Sequence, residues 1–335
     1  MTTFKEIRGT TIEVLSSDPS NPELGQIWYN SSSGTLKGYQ LVATNAWSSG
    51  GNLNTPRYSS GAAGTQTAAL IIAGQNSVPN LSTSSAESYN GTSWTASPSY
   101  PATYFQIGGV GTQTAAVAWC GVIPSNYPPG VQTFYSDTNK WNGSAWTASG
   151  SYPRAQGAQG VAGTQTAALS TGGTNSVPGA PGLTTATNTY NGTSWTAVPG
   201  TLVTARTFQN SMFGTQTSAL AISGATPNPV QSYNGTTWTA GTSMNTTRYA
   251  SAFGESNQSG VAFGGPPSLT TTEIWNGTAW TTNPTGLSTG RSSAVGFGTA
   301  SLGLAAGGDS GSVPVDQRTE EWTGVQIQTR TVTVS

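Results

Sequence analysis

Tyr89-Asn-Gly-Thr-Ser-Trp94 returns with small changes as Trp141-Asn-Gly-Ser-Ala-Trp146, Tyr190-Asn-Gly-Thr-Ser-Trp195, Tyr233-Asn-Gly-Thr-Thr-Trp238 and Trp275-Asn-Gly-Thr-Ala-Trp280. Asn-Gly tolerates positive φ at both central positions of the type I′ turn that matches strand twist. Each copy therefore predicts a tight antiparallel hairpin entered at one aromatic residue and left at a Trp. A second series, Gly64-Thr-Gln-Thr67, recurs from Gly111, Gly163 and Gly214, and in degenerate form as Gly254-Glu-Ser-Asn257 and Gly298-Thr-Ala-Ser301. Apolar runs such as residues 68–73 and 218–222 follow it. No helical period of 3.6 is sustained, and Gly, Pro and Thr oppose one.

Each unit reads as four strands. Strand a carries an Arg (Arg57, Arg154, Arg206, Arg248, Arg291), with Tyr104 replacing it in the second unit. Strand b follows Gly-Thr-Gln-Thr, strand c ends at the first aromatic and strand d starts around the Trp. Units of roughly 47 residues repeating in this way predict an all-β chain folded as a six-bladed β-propeller. Seven blades closed by both termini are the alternative. Trp94, Trp146, Trp195, Trp238 and Trp280 supply one indole per unit. Each buries roughly 150–250 Å², worth about 4–6 kcal/mol gross. A sixth, decayed copy, Glu321-Trp322-Thr-Gly324, lacks the second Trp. The Arg series has two readings: cations lined up around a channel, or side chains stacked on a ring or paired with Glu87, Glu273 or Glu320 of a neighbouring strand.

Residues 1–50 are expected to form a small N-terminal β module for attachment, with strands at 10–15, 26–29 and 36–42. Residues 51–335 are expected to form the propeller, and 325–334 a long strand with period-two alternation. Trp47 resembles a strand d that lacks its blade.

Composition limits the chemistry. The 335 residues include 11 Lys plus Arg against 12 Asp plus Glu, no His, one Cys and only 7% charged residues, where ordinary chains carry about a quarter. Such a balance gives no footprint for nucleic acid or anionic lipid. Without His the usual general base and commonest metal ligand are missing. Disorder is excluded by 11 Trp, 12 Tyr and 8 Phe. The N-terminus shows no signal-peptide h-region and the longest apolar stretch, near 68–73, is far short of a membrane span. Synthesis in a cytoplasm without membrane insertion is therefore expected. Cys120, in an apolar run, reads as an inert core thiol. Asp137, Asn139 and Asp309 are too few to hold Ca²⁺, so neither metal nor cofactor is expected.

In a four-stranded meander the a–b and c–d turns share one face and the b–c and d–a connections the other. The b–c segments vary in length and content, and function favours variable loops on a rigid scaffold. The candidate recognition residues on this face are Asn126, Tyr127, Pro128 and Pro129 in a proline-stiffened loop, with Leu81 and Leu183 in two others.

At Gly172-Gly173, Gly264-Gly265 and Gly307-Gly308 the doublet after the second strand, followed by an aromatic and then a Trp, resembles the kelch family of propellers. Ala73-Gly74, Cys120-Gly121 and Ser223-Gly224 depart from it. The Gly-Thr-Gln-Thr-Ala-Ala and Tyr-Asn-Gly-Thr-Ser-Trp-Thr wording is similar to that of repeat proteins of marine bacteriophages, and residues 21–37 resemble a hairpin module of phage tail-fibre and other virion proteins. The resemblance implies a non-enzymatic viral structural protein. It would be located in the virion as a tail, fibre or head accessory component, with other virion proteins and a host cell-surface glycan or protein as partners, and with oligomers allowed. Two alternatives stand beside it: a glycosidase-like propeller enzyme, which needs two carboxylates about 5–10 Å apart or an Arg cluster with a Tyr nucleophile, and a cytoplasmic kelch adaptor.

Overall fold

The computed structural model describes residues 12–76, 81–124, 132–177, 180–207, 211–222, 230–311 and 316–332, and every regular element among them is a strand. The chain enters through β1 (Glu13–Leu15), β2 (Ile27–Asn30) and β3 (Thr35–Ser49). Blade 1 is β4 (Gly61–Thr65), β5 (Ala68–Gln75), β6 (Ser82–Tyr89) and β7 (Trp94–Ser97). Blade 2 is β8 (Gly108–Thr112), β9 (Ala115–Pro124), β10 (Gln132–Trp141) and β11 (Trp146–Ser149). Blade 3 comprises β12 (Gly160–Thr164), β13 (Ala167–Thr171), β16 (Thr187–Tyr190) and β17 (Trp195–Val198), with β14 (Thr174–Val177) and β15 (Ala180–Leu183) inserted as a separate hairpin between its second and third strands. Blade 4 is β18 (Met212–Gly214), β19 (Ala219–Ala221), β20 (Gln231–Tyr233) and β21 (Trp238–Ala240); blade 5 is β22 (Ser251–Ser256), β23 (Ser259–Phe263), β24 (Thr272–Trp275) and β25 (Trp280–Thr282). The chain ends through β26 (Val295–Gly298), β27 (Leu302–Ala306) and β28 (Thr319–Thr331).

The first strand of each blade packs against the first strand of the next, from β4 through β8, β12, β18 and β22 to β26, and β26 returns to β4. That closed cycle makes the fold a β-propeller. In place of six or seven uniform blades there are five four-stranded blades and one six-stranded sheet, ordered β1-β2-β3-β28-β27-β26. Compact packing divides the chain into two units, residues 46–322 and residues 1–45 with 323–335. The expected strand at 36–42 runs on through Trp47, and the one expected at 325–334 begins at Thr319. In the smaller unit Trp28 is fully buried, and Asp18 accepts from Trp28 Nε1 (3.1 Å), Asn30 Nδ2 (2.7 Å) and Lys37 Nζ (2.9 Å). These donors pull the Asp18 pKa down to about 2.

Strand c ends at an aromatic and strand d starts at a Trp in all five blades, and the two rings pack 4.9–5.2 Å apart. In the six-stranded sheet Trp322 on β28 lacks a Trp on the following strand and instead meets Trp47 of β3, centroids 5.3 Å apart. The connecting turn differs from the expected two-residue type I′. It spans four residues, Asn90 to Ser93 in blade 1, and only the glycine takes positive φ (Gly91, 91°). Asn90 Oδ1 accepts from Thr92 N (3.0 Å), Thr92 Oγ1 (2.8 Å) and Ser93 N (2.9 Å). Asn142, Asn191, Asn234 and Asn276 repeat this arrangement. The Asn-Gly-Thr/Ser wording is thus a cap, in which the amide and the hydroxyl both serve the loop.

Three bonds join neighbouring sectors. Four of the indole N–H groups reach back to the Thr three residues before the aromatic of the preceding sector. Trp195 donates to Thr138 Oγ1 (3.0 Å), Trp238 to Thr187 Oγ1 (3.0 Å), Trp94 to Thr319 Oγ1 (2.8 Å) and Trp47 to Thr272 Oγ1 (2.9 Å). Ala86 and Val230 hold the corresponding positions before Trp146 and Trp280, and those indoles donate to the backbone of Pro98 (3.1 Å) and Thr242 (3.0 Å). Gln113, Gln165 and Gln216 of the a–b turns each donate through Nε2 to two carbonyls of the preceding blade, and Gln66 does so to Gly303 (3.1 Å) and Trp322 (2.8 Å). Finally Gly74, Gly121, Gly173, Gly265 and Gly308 donate N–H bonds to Tyr104, Gln156, Arg206, Arg291 and Arg57 carbonyls of the next sector.

The backbone at this last bond explains why two of the five described doublets are incomplete, Ser223-Gly224 lying outside the described residues. The second residue has φ of 100–139°, which only glycine adopts at low cost, and a Cβ on Gly74 would fall 2.1 Å from Ser60 Oγ. The first residue has φ of 54–64°, a left-handed value that Ala73 and Cys120 accept.

Candidate functional site

The segments between sectors place the Arg series just before strand a. Arg57 is fully buried, and its Nη2 meets Glu87 Oε1 (2.5 Å) while Nη1 donates to Ser85 O (2.5 Å). Arg248 pairs with Glu273, whose carboxylate also accepts Asn245 N (2.7 Å) and Thr246 N (3.1 Å). Arg291 Nη2 meets Glu320 Oε1 (2.9 Å), with Asp316 3.8 Å away. Burial works to lower the pKa of Arg57 and Arg291, and the neighbouring carboxylates oppose it. Arg206 is equally buried, but Gln231 stands where the others have Glu, and burial pulls its pKa down to about 10. These four guanidinium groups lie inside the blades.

Arg154 belongs elsewhere. Seven residues before the Gly of each Gly-Thr-Gln-Thr stand Arg57, Tyr104 and Gln156 in the first three blades, so Gln156 holds the Arg position of blade 3. Gln156 Nε2 donates to Tyr152 Oη (3.4 Å), which in turn accepts from Asn188 Nδ2 (2.7 Å). Arg154, two residues earlier, is exposed, and its Nη1 donates to Asn175 Oδ1 (2.6 Å) at the base of the β14–β15 hairpin, with that amide oriented so that its nitrogen donates to Gly182 O (2.9 Å).

Blade 2 replaces the ion pair with phenols. Tyr104 Oη donates to Asp137 Oδ1 (2.7 Å), Tyr100 Oη to Asp137 Oδ2 (3.3 Å), and Asn139 Nδ2 to Tyr100 Oη (3.0 Å) and Asp137 Oδ2 (3.3 Å). Burial and the Asp137 charge hold both phenols well above their ordinary pKa of 10. Cys120, fully buried beside them, is raised for the same reasons. None of these groups is activated as a nucleophile.

The channel is lined by strand a of all five blades and by β26, through residues such as Ala62, Val110, Ala162, Met212, Phe253 and Phe297 around a cavity of about 120 Å³. Among the described residues no ionisable side chain lines it, in contrast to the reading in which the Arg series faces the axis.

The opposite ends of the blades bring variable segments together. Leu81 (45% exposed) and Leu183 (52%) lie on b–c connections, joined by Val203 and Tyr249 on d–a connections. Asn126, Tyr127, Pro128 and Pro129 lie outside the described residues. Of the indoles, Trp94, Trp195, Trp238 and Trp280 are buried and Trp146 is partly so. The turn glutamines and the threonines before the aromatics were not singled out from sequence. Their signal is a Gln fixed in successive two-residue turns, where Gly or Asn is the common choice.

No protein-family model matches the chain, and no curated protein matches it. Among solved structures it is similar to that of YjhT, with a TM-score of 0.68 over 84% of this chain and 100% of that one, at 14% identity. The likeness is one of fold. The cyclic β-propeller arrangement, which the contacts between first strands already establish, is what the two chains share.

Proposed function

We propose that this chain is a non-catalytic binding propeller of a bacteriophage particle, a tail, fibre or head accessory protein that holds a host-surface molecule or another virion protein on its b–c and d–a connections. In this reading β26, β27, the start of β28 and the end of β3 act as a sixth, kelch-like blade completed from the N-terminal side. The protein is made in the host cytoplasm and works in the virion.

One observation carries the binding assignment: the two ends of the blades are built differently. The c–d turns are five copies of one Asn-capped loop. The b–c connections range from the long β9–β10 arms to the separate β14–β15 hairpin. The described buried carboxylates Glu87, Glu273, Asp316 and Glu320 are committed to arginines, which leaves them unsuited to act as a glycosidase pair. The repeat wording supports the phage assignment.

Purified protein is to be incubated with host cells and with their extracted surface polysaccharide. Saturable binding without release of reducing ends is expected. Release of reducing ends in proportion to protein and time would establish the glycan-active alternative instead.

A further inference from the structure

We propose that blade 2 carries a binding site for the guanidinium group of an arginine on a partner polypeptide, formed by Asp137 with Tyr104 and Tyr135. The inference rests on the binding reading above and names the ligand chemistry of one sector. In the other sectors that keep a carboxylate on strand c, the chain supplies its own arginine: Arg57 to Glu87, Arg248 to Glu273 and Arg291 to Glu320. Blade 2 has Tyr104 at the Arg position and Asn139 at the Glu position, and its carboxylate, Asp137, sits two residues nearer the b–c end of β10. Among the described residues Asp137 meets only neutral donors, the two phenols and one amide. No cation is paired with it among the described residues, and burial first, with the Asp137 charge added, raises Tyr100, Tyr104 and Cys120 around it.

Asp137 and Tyr135 are both half-buried, unlike the buried Glu87, Glu273 and Glu320 of the other sectors. Tyr135 stacks on Tyr104, ring centroids 5.0 Å apart at 30°, which sets a π surface beside the carboxylate. A planar cation suits this pair, because guanidinium stacks on aromatic faces while its N–H fork bonds a carboxylate. Tyr100 Oη and Asn139 Nδ2 both occupy Asp137 Oδ2 and Tyr104 Oη takes one side of Oδ1, so the acceptor left for a guanidinium N–H is the second lone pair of Oδ1, on a carboxylate fixed before the ligand arrives.

The full chain is to be titrated with an acetylated, amidated Gly-Arg-Gly peptide and with its citrulline counterpart, which is neutral but of the same shape, and read by NMR shift changes. Saturable binding of the arginine peptide in the range of about 1 mM is expected, with the citrulline peptide at least about tenfold weaker. Asp137→Asn should weaken the arginine peptide by roughly tenfold or more, while Glu255→Gln, near the end of β22 in blade 5, should leave it unchanged. Equal binding of the two peptides, wild-type affinity in Asp137→Asn, or a glucosamine oligomer preferred over the arginine peptide would each overturn the site. Should Asp137→Asn unfold, Tyr135→Leu replaces it: several-fold weakening supports the site and unchanged affinity refutes it. Lost arginine binding with host-surface binding intact would sink this inference alone.

Discussion

Replacing Thr138 with Val removes one oxygen and keeps the shape. Thr138 Oγ1 accepts the Trp195 indole N–H at 3.0 Å across the seam between blades 2 and 3, and both residues are buried. A buried donor left unpaired costs about 1–3 kcal/mol, and the methyl that replaces the hydroxyl returns about 0.8 kcal/mol, so the net loss is about 0.2–2 kcal/mol. The sectors with Ala86 and Val230 show the available escape, in which the indole turns to a backbone carbonyl. If Trp195 finds one, the loss falls at the low end. A cycle with Trp195→Phe isolates the bond, and a coupling near 1 kcal/mol is expected. Urea unfolding followed by Trp fluorescence measures all four proteins. A loss under about 0.3 kcal/mol together with zero coupling would refute the claim that these indoles are hydrogen-bonded latches between sectors.

Four further outcomes follow from the same geometry. Glu273→Gln strips the carboxylate from fully buried Arg248 and should cost about 3–5 kcal/mol in denaturant unfolding; a surface-like loss under 1 kcal/mol would contradict the buried pair. Gly74→Ala, at φ 114° with Ser60 Oγ in the way, should destabilise markedly, while Ala73→Gly, at φ 54°, should be neutral or better in the same thermal scan. Burial and the Glu321 carboxylate push the Tyr89 phenol up to about 12. A folded pKa above the ordinary 10 means stability is intact below pH 10 and falls as pH climbs towards 12, with phenolate absorbance rising in step, and Tyr89→Phe should flatten that fall. The Cys120 thiol, buried and raised, should resist a disulfide reagent in buffer and react at once in denaturant.

What the sequence discloses is local. The five aromatic pairs, the strand ends at Tyr89 and Trp94 and their repeats, and Glu87, Glu273 and Glu320 as possible arginine partners were all readable, because each follows from spacing within one unit. The turn type was misread because Asn-Gly suits a two-residue turn, while the hydroxyl after it makes a four-residue capped loop better satisfied. Arg154 reads as one of the series by residue type, whereas counting back from Gly163 selects Gln156. The six-stranded sheet was hardest to see, since Trp322 finds its ring partner in Trp47 at the other end of the chain. Of the candidate recognition residues Leu81 and Leu183 are exposed, the second at the end of β15 in the inserted hairpin.

The most direct test of the ring is the urea midpoint of residues 46–322 compared with residues 51–322. The shorter chain loses Trp47, its bond to Thr272, and the Gly50 N–H to Thr319 O bond (2.9 Å). If the N-terminal strand end completes the last sector, residues 46–322 unfold cooperatively and residues 51–322 are unfolded or unfold at a much lower midpoint. Equal midpoints with the same near-ultraviolet spectrum would show that the propeller closes without that strand.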